Sequence, residues 1–153
     1  MKKDFLSIRI VHGALCLGSL LFFMVVYFLL GTENTGAPEG EDLKVFTYLV
    51  PLMVLSSILL SRLLDRNKMA AFKGTSDLSE KLNDYRTRII MRSALIEGTI
   101  LFAVVALLLT GDELNALYFS IGWLALLFVR PYMAEFSKDY KLSVKEEQEM
   151  HQD

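Results

Sequence analysis

Only one cysteine, Cys16, occurs in the 153 residues, so no intrachain disulfide can form and nothing marks the redox compartment. His12 and His151 are the only histidines, and with a single thiol they leave no set of zinc ligands. The chain also lacks a Ser-His-acid arrangement, a phosphate-binding glycine loop and a dinucleotide fingerprint. Its seven methionines are scattered, without the clustered spacing of a soft-metal pathway. These absences lead to an expectation of no catalytic residues, no metal and no cofactor, and make an enzyme the least favoured class. Charge is missing over one long stretch: Gly13 to Leu30 runs for eighteen residues without any. A bulky Leu15 directly before Cys16 argues against lipid attachment there. The run is also longer than a signal-peptide core and has no clear small-residue cleavage site after it, so it reads as a retained membrane helix.

Apolar side chains are abundant. They make up 53% of the residues, mean hydropathy is +0.38, and the class is a polytopic membrane protein. Four spans are expected, at about 10–30, 44–64, 89–110 and 114–130. Pro51 falls early in the second span and predicts a mild kink. Between the first two, Thr32 to Asp42 is an acidic loop broken by Gly36, Pro38 and Gly40. After the second span the helical pattern continues through Arg62, Asp65, Arg66 and Lys68 to Phe72, with Gly74 as a stop. Asp77-Leu78-Ser79-Glu80 has capping-box spacing, and Leu78, Leu82, Tyr85 and Ile89 then follow at helical intervals. Helices 2 and 3 are thus expected to extend into the cytoplasm as a hairpin over 65–88, closed by Lys73 to Ser76. The second membrane hairpin turns tightly at Gly111-Asp112-Glu113. Arg130-Pro131-Tyr132 and Trp123 read as an interfacial anchor, a helix-end breaker and a packing aromatic. Residues 138–153 form a polar tail, with Ser143-Val144-Lys145-Glu146 predicting a short, exposed terminal helix.

The formal net charge of −2 says little, but the distribution of its parts does. Fifteen of the sixteen Lys and Arg residues lie in the amino-terminal segment, in 62–92 or in the carboxy-terminal segment; the other two loops hold Lys44 against six acids. The positive-inside rule then places both termini and the middle loop in the cytoplasm, and a bacterial inner membrane is the natural setting for this multi-pass chain. Asp65, Asp77, Glu80 and Asp84 interleave with the bases of the middle loop, so it is read as a topological signal rather than a nucleic-acid site.

Ile10–Gly31 laid over Ile90–Gly111 without a gap gives nine identities in 22 positions. Both copies keep Ala-x-x-x-Gly followed by a hydroxyl residue: Ala14 and Gly18 in one, Ala94 and Gly98 in the other. Small residues on one helix face let backbones approach closely, so helices 1 and 3 are expected to pack through these faces. The expected fold is all-α: a four-helix membrane bundle over 1–137, built by parallel duplication of a two-helix hairpin, with the tail over 138–153.

One copy carries a carboxylate, Glu97, where the other has Leu17. Glu97 lies eight residues, or about 12 Å, beyond the expected membrane boundary near Ile89. An acid at that depth is costly unless paired, hydrated or protonated. One reading is a polar clamp to Ser93, Thr99, Ser56 or Ser57, worth ~0.5–2 kcal/mol per contact. Another is a pairing with Arg92 or Arg62 reaching in from the interface. A third is proton or ion handling.

Ala94-Leu95-Ile96-Glu97-Gly98, followed by Leu101-Phe102 and an apolar run, resembles the carboxylate-bearing helix of the proteolipid ring subunits of rotary ATPases. The approach from a basic loop and a duplicated hairpin with one acid are similar as well. The resemblance implies that Glu97 alternates between protonated and ionised states as a ring turns past a stator arginine. The second span has no glycine repeat for ring packing, and the middle loop lacks the family's short Arg-Gln-Pro turn. Two functions are therefore carried forward: a noncatalytic interaction or assembly subunit, and a proteolipid-like or small-transporter protein that handles a proton or cation through Glu97. The partners expected are the lipid bilayer and either further copies of the chain or a larger membrane complex, with no nucleic acid.

Overall fold

The computed structural model describes residues 2–32, 41–72, 74 and 77–152. Its described elements are helical: α1 (Lys2–Thr32), a 3₁₀ turn (Glu41–Lys44), α2 (Val45–Ala71), α3 (Leu78–Thr110), α4 (Leu114–Phe128), α5 (Met133–Tyr140) and α6 (Val144–Gln152). Most of the acidic loop at Thr32 to Asp42 and of the closing turn at Lys73 to Ser76 lies outside the described residues.

Three helices, α1, α2 and α3, are long and apolar enough to cross a membrane. Alone, α4 has 15 residues, and it becomes a fourth candidate only together with α5, from which it is bent by 61°. The bend falls at Val129–Tyr132. Pro131 there has no N–H to continue the helical ladder, and the residue before a proline is pushed out of helical geometry.

α3 is the axis, with α1, α2 and α4 packed around it. Contacts of α1 with α3 climb both helices together, from the Phe5–Tyr85 ring stack to His12 on Ser93, so the two run parallel. A first core joins the apolar halves of α1 to α4 around Ile96, Ile100, Val104 and Leu107. A second core lies at the other end of α3, called here the basic end, where Phe5, Leu78, Leu82, Tyr85, Ile89, Phe136, Tyr140 and Met150 are buried together. Leu78, Leu82, Tyr85 and Ile89, singled out by their spacing, supply the α3 wall of this core.

Local signals act where the sequence places them. Asp77 caps α3 by accepting from the Ser79 N–H at 2.9 Å. Gly111 ends α3 in the left-handed region at φ 63°, donating its N–H to the Leu107 carbonyl. Asp112 then accepts from the Leu114 N–H at 3.0 Å, starting α4 after a very short turn. Ser143 and Glu146 form a reciprocal capping box at 2.7 and 3.3 Å, which starts α6.

Two expectations are corrected. The tail is not a detached polar segment: the 137/138 boundary falls inside α5, and Phe136, Tyr140 and Met150 are buried in the second core. Nor do α1 and α3 meet through their small-residue faces. Ala14, Gly18, Ala94 and Gly98 are all exposed, and a Cβ added at Gly18 or Gly98 would meet nothing within 4 Å. On α1, Ala14 and Gly18 lie on the side away from His12, Cys16 and Ser19, and it is the latter side that faces inward. The close approach occurs instead at Gly122 of α4, where a Cβ would overlap the Ile100 side chain and touch Val54.

Gly122→Ala is therefore expected to destabilise the isolated protein by about 1–3 kcal/mol through overpacking. Gly18→Ala and Gly98→Ala should be neutral or stabilising, by up to ~1 kcal/mol each, because only backbone entropy changes. Thermal unfolding of the purified variants in one detergent makes the comparison. A loss at Gly98 equal to that at Gly122 would contradict this assignment of faces.

Candidate functional site

Helix geometry alone sets the position of Glu97. On α3 the buried residues Ser93, Ile96, Ile100 and Val104 face the core, while Ala94, Gly98 and Val105 are exposed. Glu97 falls between these two arcs and is half-buried. Among the described residues it makes no hydrogen bond or ion pair.

Every partner expected for it is oriented elsewhere. Thr99 shares a 2.9 Å hydrogen bond with Ser57 and donates to the Ile96 carbonyl at 2.8 Å, joining α3 to α2 on the far side of the helix. Ser93 bonds His12 at 3.0 Å. Arg92 pairs with Glu135 at 2.9 Å and with Asp65 at 3.5 Å. Ser56 is exposed and donates back to the Met53 carbonyl, and Arg62 is exposed on α2. Among the described residues none of these groups is bonded to Glu97: Thr99 points to a different side of α3, and Ser93, one turn away, is taken by His12. Residues two apart in sequence do not face each other on a helix surface.

Beside Glu97, the contact of α1 with α3 holds a buried polar trio that sequence reasoning missed. His12 Nδ1 lies 3.0 Å from the Ser93 hydroxyl, and Cys16 Sγ lies 3.5 Å from His12 Nε2. Trp123 of α4 donates its indole N–H to the Cys16 carbonyl at 3.0 Å. Because these groups are buried, each bond satisfies a polar atom that water does not reach. The spacing of His12 and Cys16, one helical turn apart, was the available signal. Ser93 in turn precedes Glu97 by one turn of α3, or about 6 Å, so the trio ends beside the carboxylate. Among the described residues, no group of three His, Cys, Asp or Glu side chains is placed to hold a metal ion.

The most heavily connected residue is Arg88, which is 2% exposed. Its guanidinium donates to Asp65 of α2 at 2.9 Å and to Asp139 of α5 at 2.8 Å. It also reaches Met69 Sδ at 3.0 Å and the Tyr140 hydroxyl at 3.4 Å. One turn further along, Arg92 binds Glu135; two turns back, Lys81 binds Glu146 at 2.5 Å. Each step along α3 is thus matched by an equal step in the opposite direction along α5 and α6, as in an antiparallel register. Tyr85 completes the set: its hydroxyl donates to Glu135 at 3.2 Å and accepts from the Tyr132 N–H at 3.0 Å. Tyr140 donates to Asp84 at 2.5 Å.

The basic residues therefore divide in two. Arg88, Arg92 and Lys81 are held by acids, whereas Arg9, Arg62, Arg66, Arg86 and Arg130 are exposed. The sequence signal for the first group was an acid and an aromatic repeating together at i and i+4, Glu135-Phe136 and Asp139-Tyr140, which gives α5 one charged edge and one apolar edge.

Two outcomes follow from this network. Arg88→Met is expected to destabilise by about 3–5 kcal/mol, since it strands Asp139 without its cation and leaves Asp65 only its longer pairing with Arg92; chemical unfolding of the purified variant measures the loss. Glu146 is held at about 2, down from an ordinary 4.5, first by its hydrogen bond from Lys81 and then by the Ser143 N–H. A lowered carboxylate pKa stabilises the folded state above 4.5, and that contribution fades as pH falls from 4.5 to about 2. Protection of the α6 amides, corrected for the intrinsic pH dependence of exchange, should hold at pH 5 and fall progressively across that window, and Lys81→Met should weaken that pH dependence while the Ser143 N–H keeps part of it.

The chain matches no protein-family model, no curated protein and no solved structure.

Proposed function

We propose that this chain is a noncatalytic, multi-pass membrane protein that serves as an interaction or assembly subunit, joining its partner through the outward face of α3 around Glu97. In this reading α4 with α5 completes a fourth span, the two-helix unit is duplicated, and the basic end faces the cytoplasm of a cell membrane. The observation that carries the reading is Glu97 itself: a half-buried carboxyl in an apolar span with no hydrogen-bond or ion-pair partner among the described residues. Such a group favours a donor supplied by another helix, because lipid offers none. Gly98 and Ala94 flank it in open space, so a second backbone can approach closely enough to supply that donor.

Leu78 and Leu82, on the hairpin between the second and third spans, are poor probes of this function because both are buried in the second core. Gly98→Leu is better, since Gly98 is exposed and a Cβ there meets nothing within 4 Å, so the larger side chain blocks the outward face. Gently solubilised from its own membranes, the wild type and Glu97→Gln should run as a complex larger than one chain, and Gly98→Leu as a single chain. A wild type that runs as a single chain contradicts the reading.

Proton or cation handling by Glu97, the function implied by the proteolipid resemblance, is a second reading. It is favoured by the His12–Ser93–Cys16 trio, which reaches from the Arg92 level to within one turn of the carboxylate. Labelling of reconstituted protein by a hydrophobic carbodiimide tests it: modification that falls as pH rises and vanishes in Glu97→Gln supports it, and no modification at any pH rejects it.

A further inference from the structure

On α2, Tyr48, Leu52, Leu55 and Leu59 are exposed at helical spacing, forming a stripe that faces lipid if α2 spans the membrane. Arg62 and Arg66 lie on the same side of the helix, one and two turns past Leu59, and both are exposed. No ion pair holds either of them among the described residues. Asp65, which sits between them in sequence, faces inward and is taken by Arg88 and Arg92. One helix thus presents a continuous apolar surface that ends in two free guanidinium groups.

We propose that Arg62 and Arg66 bind the phosphate of an anionic phospholipid headgroup at the basic end of α2, with the acyl chains of that lipid along Leu55 and Leu59. Residues at i and i+4 have Cβ atoms about 6 Å apart, so two flexible arginines can converge on one phosphate. Each planar fork offers paired N–H donors to phosphate oxygens. Long basic side chains at the end of a span also extend their heads to the interface while their stems stay on apolar surface. A free phosphate would use the guanidinium groups but leave the stripe beside them without a role, so the two features together select a lipid. The inference rests on the membrane-spanning reading of α2.

The test is native mass spectrometry of the full chain in a neutral detergent, titrated separately with phosphatidylglycerol and phosphatidylcholine. Retention of phosphatidylcholine reports the membrane reading by itself; the preference for phosphatidylglycerol reports the site. The wild type should prefer phosphatidylglycerol, and Arg62→Gln/Arg66→Gln should lower that preference about 30-fold, roughly a factor of five per base removed. Arg62→Lys/Arg66→Lys, which keeps the charge and loses the fork, should fall between them. Lys141→Gln/Lys145→Gln, which removes two exposed bases from the C-terminal segment, should match the wild type. Equal retention of the two lipids, an unchanged preference in the double Gln variant, or full displacement of phosphatidylglycerol by inorganic phosphate would overturn the proposal.

Discussion

A guanidinium buried to 2% exposure is costly unless its donors are matched by acceptors, and Arg88 imposes that requirement on the basic end of the molecule. Asp65 meets part of it, which fixes the rotation of α2 against α3. Asp139 meets another part, and it can do so only if α5 continues along α3 after the bend that follows α4. The 61° bend at Val129–Tyr132, the placement of α5 along α3, and the burial of Phe136 and Tyr140 beside Tyr85 are therefore coupled to one charge. Buried ion pairs are weak sources of net stability, but they discriminate strongly between registers. Sliding α5 by one residue along α3 would separate Arg88 from Asp139 and Arg92 from Glu135 at the same time.

The same helix carries the opposite situation two and a half turns from Arg88. Glu97 lies in an apolar helix and has no hydrogen-bond or ion-pair partner among the described residues, while the hydroxyls nearest to it in sequence serve α1 and α2. Paired charge at one end ties α3 to α2 and α5, whereas Glu97, between the buried and exposed arcs, is left without a partner among the described residues.

Parts of this arrangement were legible in the residues. Periodicity marked α1, α2 and α3, capping chemistry marked the starts of α3 and α6, and Gly111 marked the hairpin, because each of these depends on a few neighbouring residues. Glu97 stood out for the same reason, as a charge in an uncharged run. Which residues it would meet was not legible: Ser93 and Thr99 are both near in sequence, but their hydroxyls leave α3 toward α1 and α2. The small-residue motif of Ala14, Gly18, Ala94 and Gly98 was visible as a pattern, but a pattern on one helix does not say which face a neighbour will cover.

The sequence by itself determined that the protein is helical, with at least three segments able to cross a membrane, and that its basic residues gather at one end, since hydropathy and charge are sums over local residues. Only the tertiary structure decided the pairings. It joined His12 to Ser93 across 81 residues, Arg88 to Asp139 across 51 and Lys81 to Glu146 across 65, and it sorted the arginines into those held by acids and those exposed. The physical reason is that each of these contacts depends on how far a helix is rotated about its own axis. That rotation is set by the packing of all its neighbours together, and no short window of residues contains it.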